Sequence, residues 1–153
     1  MMNFRTAAAA VLAAAAIATT GAVAAPALAS AAPFAPMRTQ APAPAAGELR
    51  GVLATALDPG NGPAARAAVL ESGAAGLPLF DTLATLLAIA PPSFRWDVTG
   101  AGVNGDVAYG TLYTATDGYE PWTTSLEFKY LDGRWKLSQQ GQCALAAFLQ
   151  QAC

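Results

Sequence analysis

The sequence predicts an α+β domain: three N-terminal helices packed on a four-stranded antiparallel meander sheet, followed by a short C-terminal helix. Two observations predict this class. Apolar residues recur with helical spacing in the first half of the domain and alternate with polar residues in the second half. The second half also contains Asn-Gly and Asp-Gly pairs, which are typical of β-hairpin turns. Helices that precede a run of strands are expected to cover one face of the sheet.

Three helices are predicted before the sheet. Over residues 48–57 the apolar side chains form a one-sided stripe. Pro63 suits the first turn of a second helix, predicted over residues 64–72, and Gly73 ends it. A third helix is predicted over residues 78–90, where two prolines follow. The C-terminal helix is predicted over residues 143–150.

The hairpin over residues 122–140 is the element around which the chain is organised. Asp132-Gly133 is a two-residue turn pair, because both of its positions need a positive φ. That turn places Tyr130 opposite Trp135 and Phe128 opposite Leu137. The other face of the hairpin is polar and carries Glu127, Lys129, Arg134, Lys136 and Ser138. Lys129 lies opposite Lys136, and we expect Glu127 to relieve the repulsion.

Two further turns extend the sheet. Asn104-Gly105 is predicted to join strands over residues 94–103 and 106–116, so that residue 98 faces residue 111. A four-residue loop over 116–119 then places residue 109 opposite residue 126. The three turns together predict one apolar face, which holds Phe94, Trp96, Val98, Val107, Tyr109, Tyr113, Trp122, Leu126, Phe128, Tyr130, Trp135 and Leu137. Leu112 and Leu131 are left on the polar face as exceptions.

Composition excludes several classes of function. The 153 residues suffice for one folded domain, the formal net charge is −2, and only two lysines are present. Nucleic-acid binding is therefore not expected, since it needs clustered basic residues. The chain contains no histidine, which removes the commonest general base and the commonest zinc ligand. We expect no cofactor and no metal site.

The first 29 residues have the pattern of a secretory signal peptide. Arg5 precedes an apolar run over 7–18, and the A-x-A sequence at Ala27–Ala29 is a cleavage site, with Ala24 and Ala25 as alternatives. Residues 30–46 are rich in Ala and Pro and predict a semi-extended linker. The folded domain is predicted over residues 47–153. We expect a secreted protein that meets a membrane only through the uncleaved signal; a membrane-anchoring helix is the alternative.

Cys143 and Cys153 are the only cysteines of the chain. In a secreted protein an even number of cysteines predicts a disulfide bond. On one continuous helix the two residues would be about 15 Å apart, too far to be bonded. The helix is therefore expected to end near Gln150 so that the chain can fold back. Two free thiols and an intermolecular bond are the alternatives.

The aromatic residues of the predicted apolar face are the candidate binding residues. Either they are ordinary core, or they line a ligand pocket in which Tyr hydroxyls and Trp N–H groups find partners. The pocket candidates are Trp96, Tyr109, Tyr113, Trp122, Tyr130 and Trp135. No catalytic residue is predicted: Asp97 is placed on the solvated face, Asp81 in the first turn of a helix, and Glu120 in a turn.

The signal peptide and the Ala/Pro-rich spacer are followed by three short sequences: Leu57-Asp58-Pro59, Leu70-Glu71-Ser72-Gly73 and Gly133-Arg134-Trp135-Lys136-Leu137-Ser138. With these pieces the domain over residues 48–151 resembles the low-molecular-weight secreted antigen family of mycobacteria and related actinobacteria. The resemblance implies export across the cell envelope and an unassigned molecular function.

The order of helices and meander is also similar to the cone-shaped α+β fold of the nuclear transport factor two superfamily. Some members of that superfamily are small isomerases or hydrolases, and others only bind. No residue of this chain matches their Asp/His catalytic positions.

The function expected from these observations is non-enzymatic binding of an apolar ligand, a cell-envelope component or a protein partner, by a secreted or cell-wall-associated protein. A small cone-fold enzyme that uses a carboxylate or a tyrosine is the alternative. A module that dimerises through its sheet is a third hypothesis, because the sequence does not determine the oligomeric state.

Overall fold

A computed structural model of the protein describes residues 41–45 and 47–153. The predicted signal peptide, its cleavage site and most of the predicted linker lie outside the described residues. The elements in chain order are α1 (Glu48–Leu57), a 3₁₀ turn (Pro59–Asn61), α2 (Gly62–Ala68), a second 3₁₀ turn (Gly73–Gly76), α3 (Leu77–Ala88), β1 (Arg95–Asn104), β2 (Val107–Ala115), β3 (Trp122–Leu131), β4 (Arg134–Leu137) and α4 (Gln139–Phe148). The strands form one antiparallel sheet in sequence order, which confirms the predicted α+β class.

The helices form one side of the core. α1 has its predicted bounds, and its stripe of Leu49, Val52, Leu53 and Ala56 is buried. Pro63 lies in the first turn of α2 as predicted. The buried cluster also includes Ala41, which precedes the predicted start of the folded domain. None of the helices in the described part of the chain has the length and hydropathy needed to cross a membrane.

α2 ends four residues earlier than predicted, and the reason lies in the sheet. The backbone of 69–71 leaves the helix to pair with β4: Leu137 N–H donates to Val69 O at 2.9 Å, and Glu71 N–H donates to Leu137 O at 2.9 Å. This parallel bridge covers the free edge of β4. Strand edges expose unpaired backbone groups, so covering one stabilises the sheet against pairing with other chains.

The register of the β3–β4 hairpin is confirmed. Phe128 lies opposite Leu137 and Tyr130 lies opposite Trp135. Asp132 and Gly133 have φ values of 54° and 78°, as a two-residue turn with two left-handed positions requires. Trp135, Phe128 and Leu137 are fully buried against the helices.

The predicted orientation of β2 is wrong. Residue 109 lies opposite Glu127 instead of Leu126, and Val98 lies opposite Leu112 instead of residue 111. Each shift by one residue reverses the faces of the strand. Ala108 and Leu112 therefore face the helices and are buried, whereas Tyr109, Tyr113 and Val107 lie on the outer face. Leu112 is thus not an exception on a polar face.

Two local features cause this reversal. The first hairpin turns at Gly105-Asp106, one residue later than predicted, which by itself keeps the predicted faces; the bulge between Thr99 and Gly102 then shifts the register by one residue and reverses them. On the other side of β2, seven residues (115–121) separate Thr114 from its partner Trp122. An odd number of intervening residues reverses β2 relative to the predicted pairing.

The helix-facing surface of β2 is made of small residues where α1 approaches it. A Cβ atom added to Gly110 would lie 2.8 Å from Val98 Cγ1 and 3.3 Å from Leu49 Cδ1. Gly110 therefore allows a close contact between the sheet and α1. The alternation of large and small residues along β2 does not predict this contact.

Charged side chains on the outer face are paired differently from the prediction. Lys129 Nζ binds Glu71 Oε1 at 2.8 Å, and Lys136 Nζ binds Asp132 Oδ2 at 2.6 Å. Glu71 Oε2 also accepts from the Gln139 N–H at 2.6 Å. Lys129 and then this N–H hold the pKa of Glu71 below its usual value, and Glu71 raises the pKa of Lys129. The main interaction that offsets the repulsion between Lys129 and Lys136 is therefore made by Glu71 and not by Glu127.

α4 begins four residues earlier than predicted because Ser138 caps it. Ser138 Oγ accepts from the Gly141 N–H at 3.0 Å, which satisfies one of the free N–H groups of the first turn. Ser138 is fully buried and does not belong to the wet face on which it was predicted. A Cβ atom on Gly141 would lie 2.5 Å from Glu127 O, so α4 starts in close contact with β3.

The C-terminal fold-back is confirmed. Cys143 and Cys153 form a disulfide bond, with 5.1 Å between their Cα atoms. α4 ends at Phe148, and Gln150 has a φ of 56°. Gln150 N–H donates to Ala147 O at 3.0 Å and Gln151 N–H donates to Ala146 O at 2.9 Å. These two bonds are those of a Schellman motif, with glutamine at the left-handed position that glycine usually occupies.

Candidate ligand cavity

A cavity of about 300 Å³ lies between the helices and the sheet. It is lined by residues of α1, α3, the segment after α3, β1, β2, β3 and α4: Leu53, Leu57, Leu83, Leu86, Leu87, Ala90, Phe94, Trp96, Leu112, Thr114, Trp122, Leu145 and Phe148. Native interiors are packed with few voids larger than a water molecule. A gap of this size is therefore a feature of the fold and not ordinary packing.

Burial changes from one part of the lining to another. Leu53, Leu112 and Leu145 are buried and form the floor of the cavity. Trp122 and Phe148 are 36% and 55% exposed, so they form its mouth. An elongated ligand would have one end among leucines and the other at the surface.

The mouth is formed by an aromatic pair. Trp122 is the first residue of β3 and Phe148 is the last residue of α4. Their ring centroids are 4.8 Å apart, and the rings are tilted by 38°. Such a pair contributes about 0.5–1.5 kcal/mol beyond its buried area. The position of Phe148 depends on how α4 ends, which links the mouth to the Schellman motif and the disulfide.

Thr114 carries the one hydroxyl among the described lining residues, whose other polar side-chain groups are the indole N–H groups of Trp96 and Trp122. Thr114 Oγ1 donates to Trp122 O at 3.4 Å, which is long for a hydroxyl hydrogen bond. The hydroxyl can turn to a ligand at little cost. No described lining residue carries a charge, so the cavity favours neutral, apolar molecules.

The structure places two of the six predicted pocket residues in this cavity, Trp96 and Trp122. Tyr109 and Tyr113 lie on the outer face of the sheet because β2 is reversed. Tyr130 and Trp135 lie on the helix-covered face but outside the cavity, where they form an edge-to-face pair with centroids 5.3 Å apart. The predicted pocket is thus divided between the outer face, the filled core and the cavity.

Trp96 is held from its other side by α1. Arg50 Cζ lies 5.0 Å from the centre of the Trp96 ring, and Arg50 Nε lies 3.2 Å from Asp97 Oδ1. Asp97 Oδ1 also accepts from the Val98 N–H at 2.8 Å. Asp97 is therefore half exposed and paired with α1, not simply solvated as predicted. A cation over the ring face restricts how Trp96 can turn.

For most of the lining leucines the sequence predicts a place in the core but not beside a cavity. Leu83, Leu86 and Leu87 have the helical spacing that predicted the apolar face of α3, and Leu145 and Phe148 have that of α4. The spacing shows which face of a helix is apolar. It does not show whether the facing surface fills the space.

Arg66 and Asp81 make structural contacts outside the cavity. Arg66 is buried: its Nε donates to Ala56 O at 2.9 Å, and its Nη1 binds Asp81 Oδ1 at 2.8 Å. Asp81 on α3 thus forms an ion pair with Arg66 on α2. Over residues 41–45 and 47–153, no cluster of three or more His, Cys, Asp or Glu side chains could hold a metal ion.

A second cavity of about 250 Å³ lies on the other side of α4. It is bordered by Ser72, Gln142 and the residues after α4. Gln142 is buried, accepts from Ser72 Oγ at 2.5 Å, and donates to Leu137 O and Ser138 O at 3.2 and 3.3 Å. Its amide is fully hydrogen-bonded, so it is a structural link between α4 and the core.

Together, the fold and the cavity define a small disulfide-bonded α+β domain with an apolar pocket between its helices and its sheet. The chain belongs to the family of the low molecular weight antigen MTB12, C-terminal domain, whose model matches residues 42–153. This confirms the resemblance found in the sequence. Among curated proteins, none matches the chain significantly. The antigen family and the disulfide bond both indicate an extracellular protein.

Proposed function

We propose that this domain is an extracellular binding protein that takes a neutral, lipid-like or aromatic molecule into the cavity behind Trp122 and Phe148. The observation that carries the proposal is the cavity of about 300 Å³, whose described lining consists of aliphatic and aromatic side chains with a single hydroxyl. Pockets for small molecules are mostly apolar, measure about 300–1,000 Å³ and carry few polar groups. The cavity lies at the lower end of that range.

The size of the cavity limits both the ligand and its affinity. At about 30 Å³ per water-sized group, the space holds on the order of ten non-hydrogen atoms. Ten buried methylene groups at about 0.8 kcal/mol each give about 8 kcal/mol, which corresponds to a Kd of about 1 µM. The loss of freedom on association reduces this figure. We therefore expect micromolar or weaker binding of one chain or one small ring system.

The lining supports binding and not catalysis. None of its described residues is a carboxylate, tyrosine, lysine or cysteine, the groups left for acid–base or nucleophilic chemistry in a chain without histidine. Lysine partners lower the pKa values of the Glu71 and Asp132 carboxyl groups, and both groups lie outside the cavity. A small isomerase or hydrolase would place such a group beside its substrate.

Filling the cavity tests the proposal directly. Ala90 lines the cavity, whereas Ala88, two residues earlier, is exposed and does not. Binding of 1-aminonaphthalene, a small neutral fluorescent dye of the size that the cavity holds, is measured for the purified wild type, Ala90→Phe and Ala88→Phe. We expect Ala90→Phe to weaken binding about tenfold or more, since it occupies space that the dye would use, and Ala88→Phe to bind like the wild type. Equal binding by both variants would overturn the proposal.

Tryptophan emission gives an independent readout. Trp96 and Trp122 line the cavity and Trp135 does not. Addition of a neutral long-chain alcohol should shift the emission of the wild type, and the variant Trp96→Phe/Trp122→Phe should lose that shift while it stays folded. A shift that survives in this variant would place the ligand elsewhere.

We further propose that the protein is exported and remains in the medium or with the cell wall. The pattern of residues 1–29 supports this, as do the antigen family and the disulfide bond. Cleavage after Ala29 is expected. N-terminal sequencing of protein from the culture medium tests it, and exported protein that still begins with Met1 would contradict it.

A further inference from the structure

Exposed apolar side chains surround the mouth of the cavity. We call this surface the mouth patch and define it by Leu86, Ile89, Tyr119, Trp122 and Phe148. Leu86, Trp122 and Phe148 line the cavity itself. Ile89 follows Leu86 at the end of α3 and is 76% exposed, and Tyr119 lies in the loop before Trp122 and is 77% exposed.

The mouth patch lies at one end of the sheet. Trp122 begins β3, and the loop that carries Tyr119 joins β2 to β3 at the same end. Lys129 is seven residues further along β3, which at about 3.3 Å per residue puts it roughly 23 Å away. Lys129, Lys136 and Arg134 all belong to the other end, near the β3–β4 turn.

The charges near the mouth patch do not attract anions. The loop between β2 and β3 carries Asp117 and Glu120. Asp117 Oδ1 pairs with Arg95 Nη1 at 3.0 Å, so the guanidinium is already engaged. Among the described residues this apolar patch has tryptophan and tyrosine and no free cation beside it, which is the composition of side chains that settle at a lipid–water interface through apolar contact.

We propose that the mouth patch docks on a neutral, zwitterionic lipid surface, from which the cavity takes its ligand. The second half of this inference rests on the proposed function, whereas the docking itself does not. Docking would bring the mouth between Trp122 and Phe148 against the lipid, so an apolar molecule could enter without crossing water. The energy would come from burial of the patch and would depend little on salt.

The area of the mouth patch argues against a second copy of the chain as the occupant. Aromatic side chains bury about 150–250 Å² each, and the exposed fractions of the five residues then give a patch of roughly 500 Å². A stable protein interface buries about 800 Å² on each partner. Insertion of a few side chains into a lipid interface has no such minimum.

The test measures binding to vesicles of pure phosphatidylcholine by flotation. The variant is Ile89→Ser/Tyr119→Ser, which removes two patch side chains that do not line the cavity. The matched control is Val103→Ser/Tyr109→Ser, because both residues are also exposed, Val103 beside the β1–β2 turn and Tyr109 on the outer face, at the end of the sheet away from the mouth patch. We expect the patch variant to lose about tenfold or more in vesicle binding, and the control to bind like the wild type.

Three results would overturn the docking proposal: equal vesicle binding by both variants, binding only to vesicles with anionic lipid and only at low salt, or concentration-dependent dimers of the wild type that the patch variant abolishes. Binding of 1-aminonaphthalene in the absence of vesicles separates the two proposals. The patch variant should keep it, and Ala90→Phe should lose it but still float with vesicles. Loss of docking with intact dye binding would leave the cavity proposal standing.

Discussion

Trp135 and Trp122 lie on the same face of the same sheet, and their surroundings differ. Trp135 is 2% exposed and packs edge-to-face on Tyr130 in a filled core. Trp122 is partly exposed and packs on Phe148 at the mouth of a cavity. The end of the sheet near the β3–β4 turn is closed, and the end near the β2–β3 loop is open.

The closed end is covered by three connected contacts. The segment 69–71 pairs with β4, Glu71 bonds both Lys129 and the start of α4, and Ser138 caps α4 against β3. At the open end, by contrast, α3 has finished and the chain passes through Pro91 and Pro92 before β1 begins. The comparison teaches that the cavity exists because the covering elements end there, not because the sheet lacks large side chains.

The largest expected effect separates the two tryptophans. Trp135→Ala should lower the free energy of unfolding by about 3–5 kcal/mol, because it empties a filled core. Trp122→Ala should lower it by about 1 kcal/mol, since that side chain is already partly exposed beside a gap. Denaturant unfolding of both variants measures the difference. Similar losses would mean that the two ends are equally well packed.

Removal of the disulfide bond should have the next largest effect, mainly at the open end of the sheet. Cys143→Ser/Cys153→Ser is expected to lose about 2–3 kcal/mol of stability, by the loop-closure model for a short loop. It should also loosen the end of α4, so the Trp122–Phe148 contact should weaken and the binding of 1-aminonaphthalene should change. Unfolding curves and dye titration of the same variant check both parts. A stability loss with unchanged dye binding would show that the mouth does not depend on the bond.

Acid should weaken the closed end. The pKa of Glu71 is lowered by Lys129 and by the Gln139 N–H, so its stabilising contribution is present above the unfolded value near 4.5 and is lost as pH falls below that value towards the folded pKa. Glu71→Gln should cost about 1 kcal/mol at neutral pH, discounted for partial exposure. It should also flatten the stability profile below pH 4.5. Asp132, whose side chain is 78% exposed and paired with Lys136, is the comparison: Asp132→Asn should leave most of that profile intact.

The smallest expected effect is a gain in the free energy of unfolding. Gln150 has a φ of 56°, a left-handed conformation in which glycine is not strained. Gln150→Gly should raise the stability by about 0.5 kcal/mol, the relief of strain being partly offset by the freer unfolded chain. Thermal unfolding of Gln150→Gly beside Gln140→Gly, an exposed helical position where glycine should destabilise, measures the sign.

Local chemistry made the β3–β4 hairpin predictable and left β2 unpredictable. Asp132-Gly133 admits one tight turn, and charged residues alternate with apolar ones on both sides of it. In β2, both faces carry apolar residues: Val107, Tyr109 and Tyr113 on one, Ala108 and Leu112 on the other. Hydrophobic pattern could not choose between the faces, and the bulge in β1 and the β2–β3 loop each shifted the register by one residue from the prediction.

By itself, the sequence determined the order of the elements, the register of the last hairpin, the fold-back that joins Cys143 to Cys153, and the apolar character of the surfaces that meet between helices and sheet. These follow from turn residues, periodicity and spacing, which act within a few residues. Only the tertiary structure decided which face of β2 turns inward, where α2 gives way to the bridge at Leu70, and that a cavity remains behind Trp122. Those outcomes depend on how closely elements that are far apart in sequence approach each other. Whether the space between them is filled depends on the summed volumes of their side chains, and no local sequence pattern determines that sum.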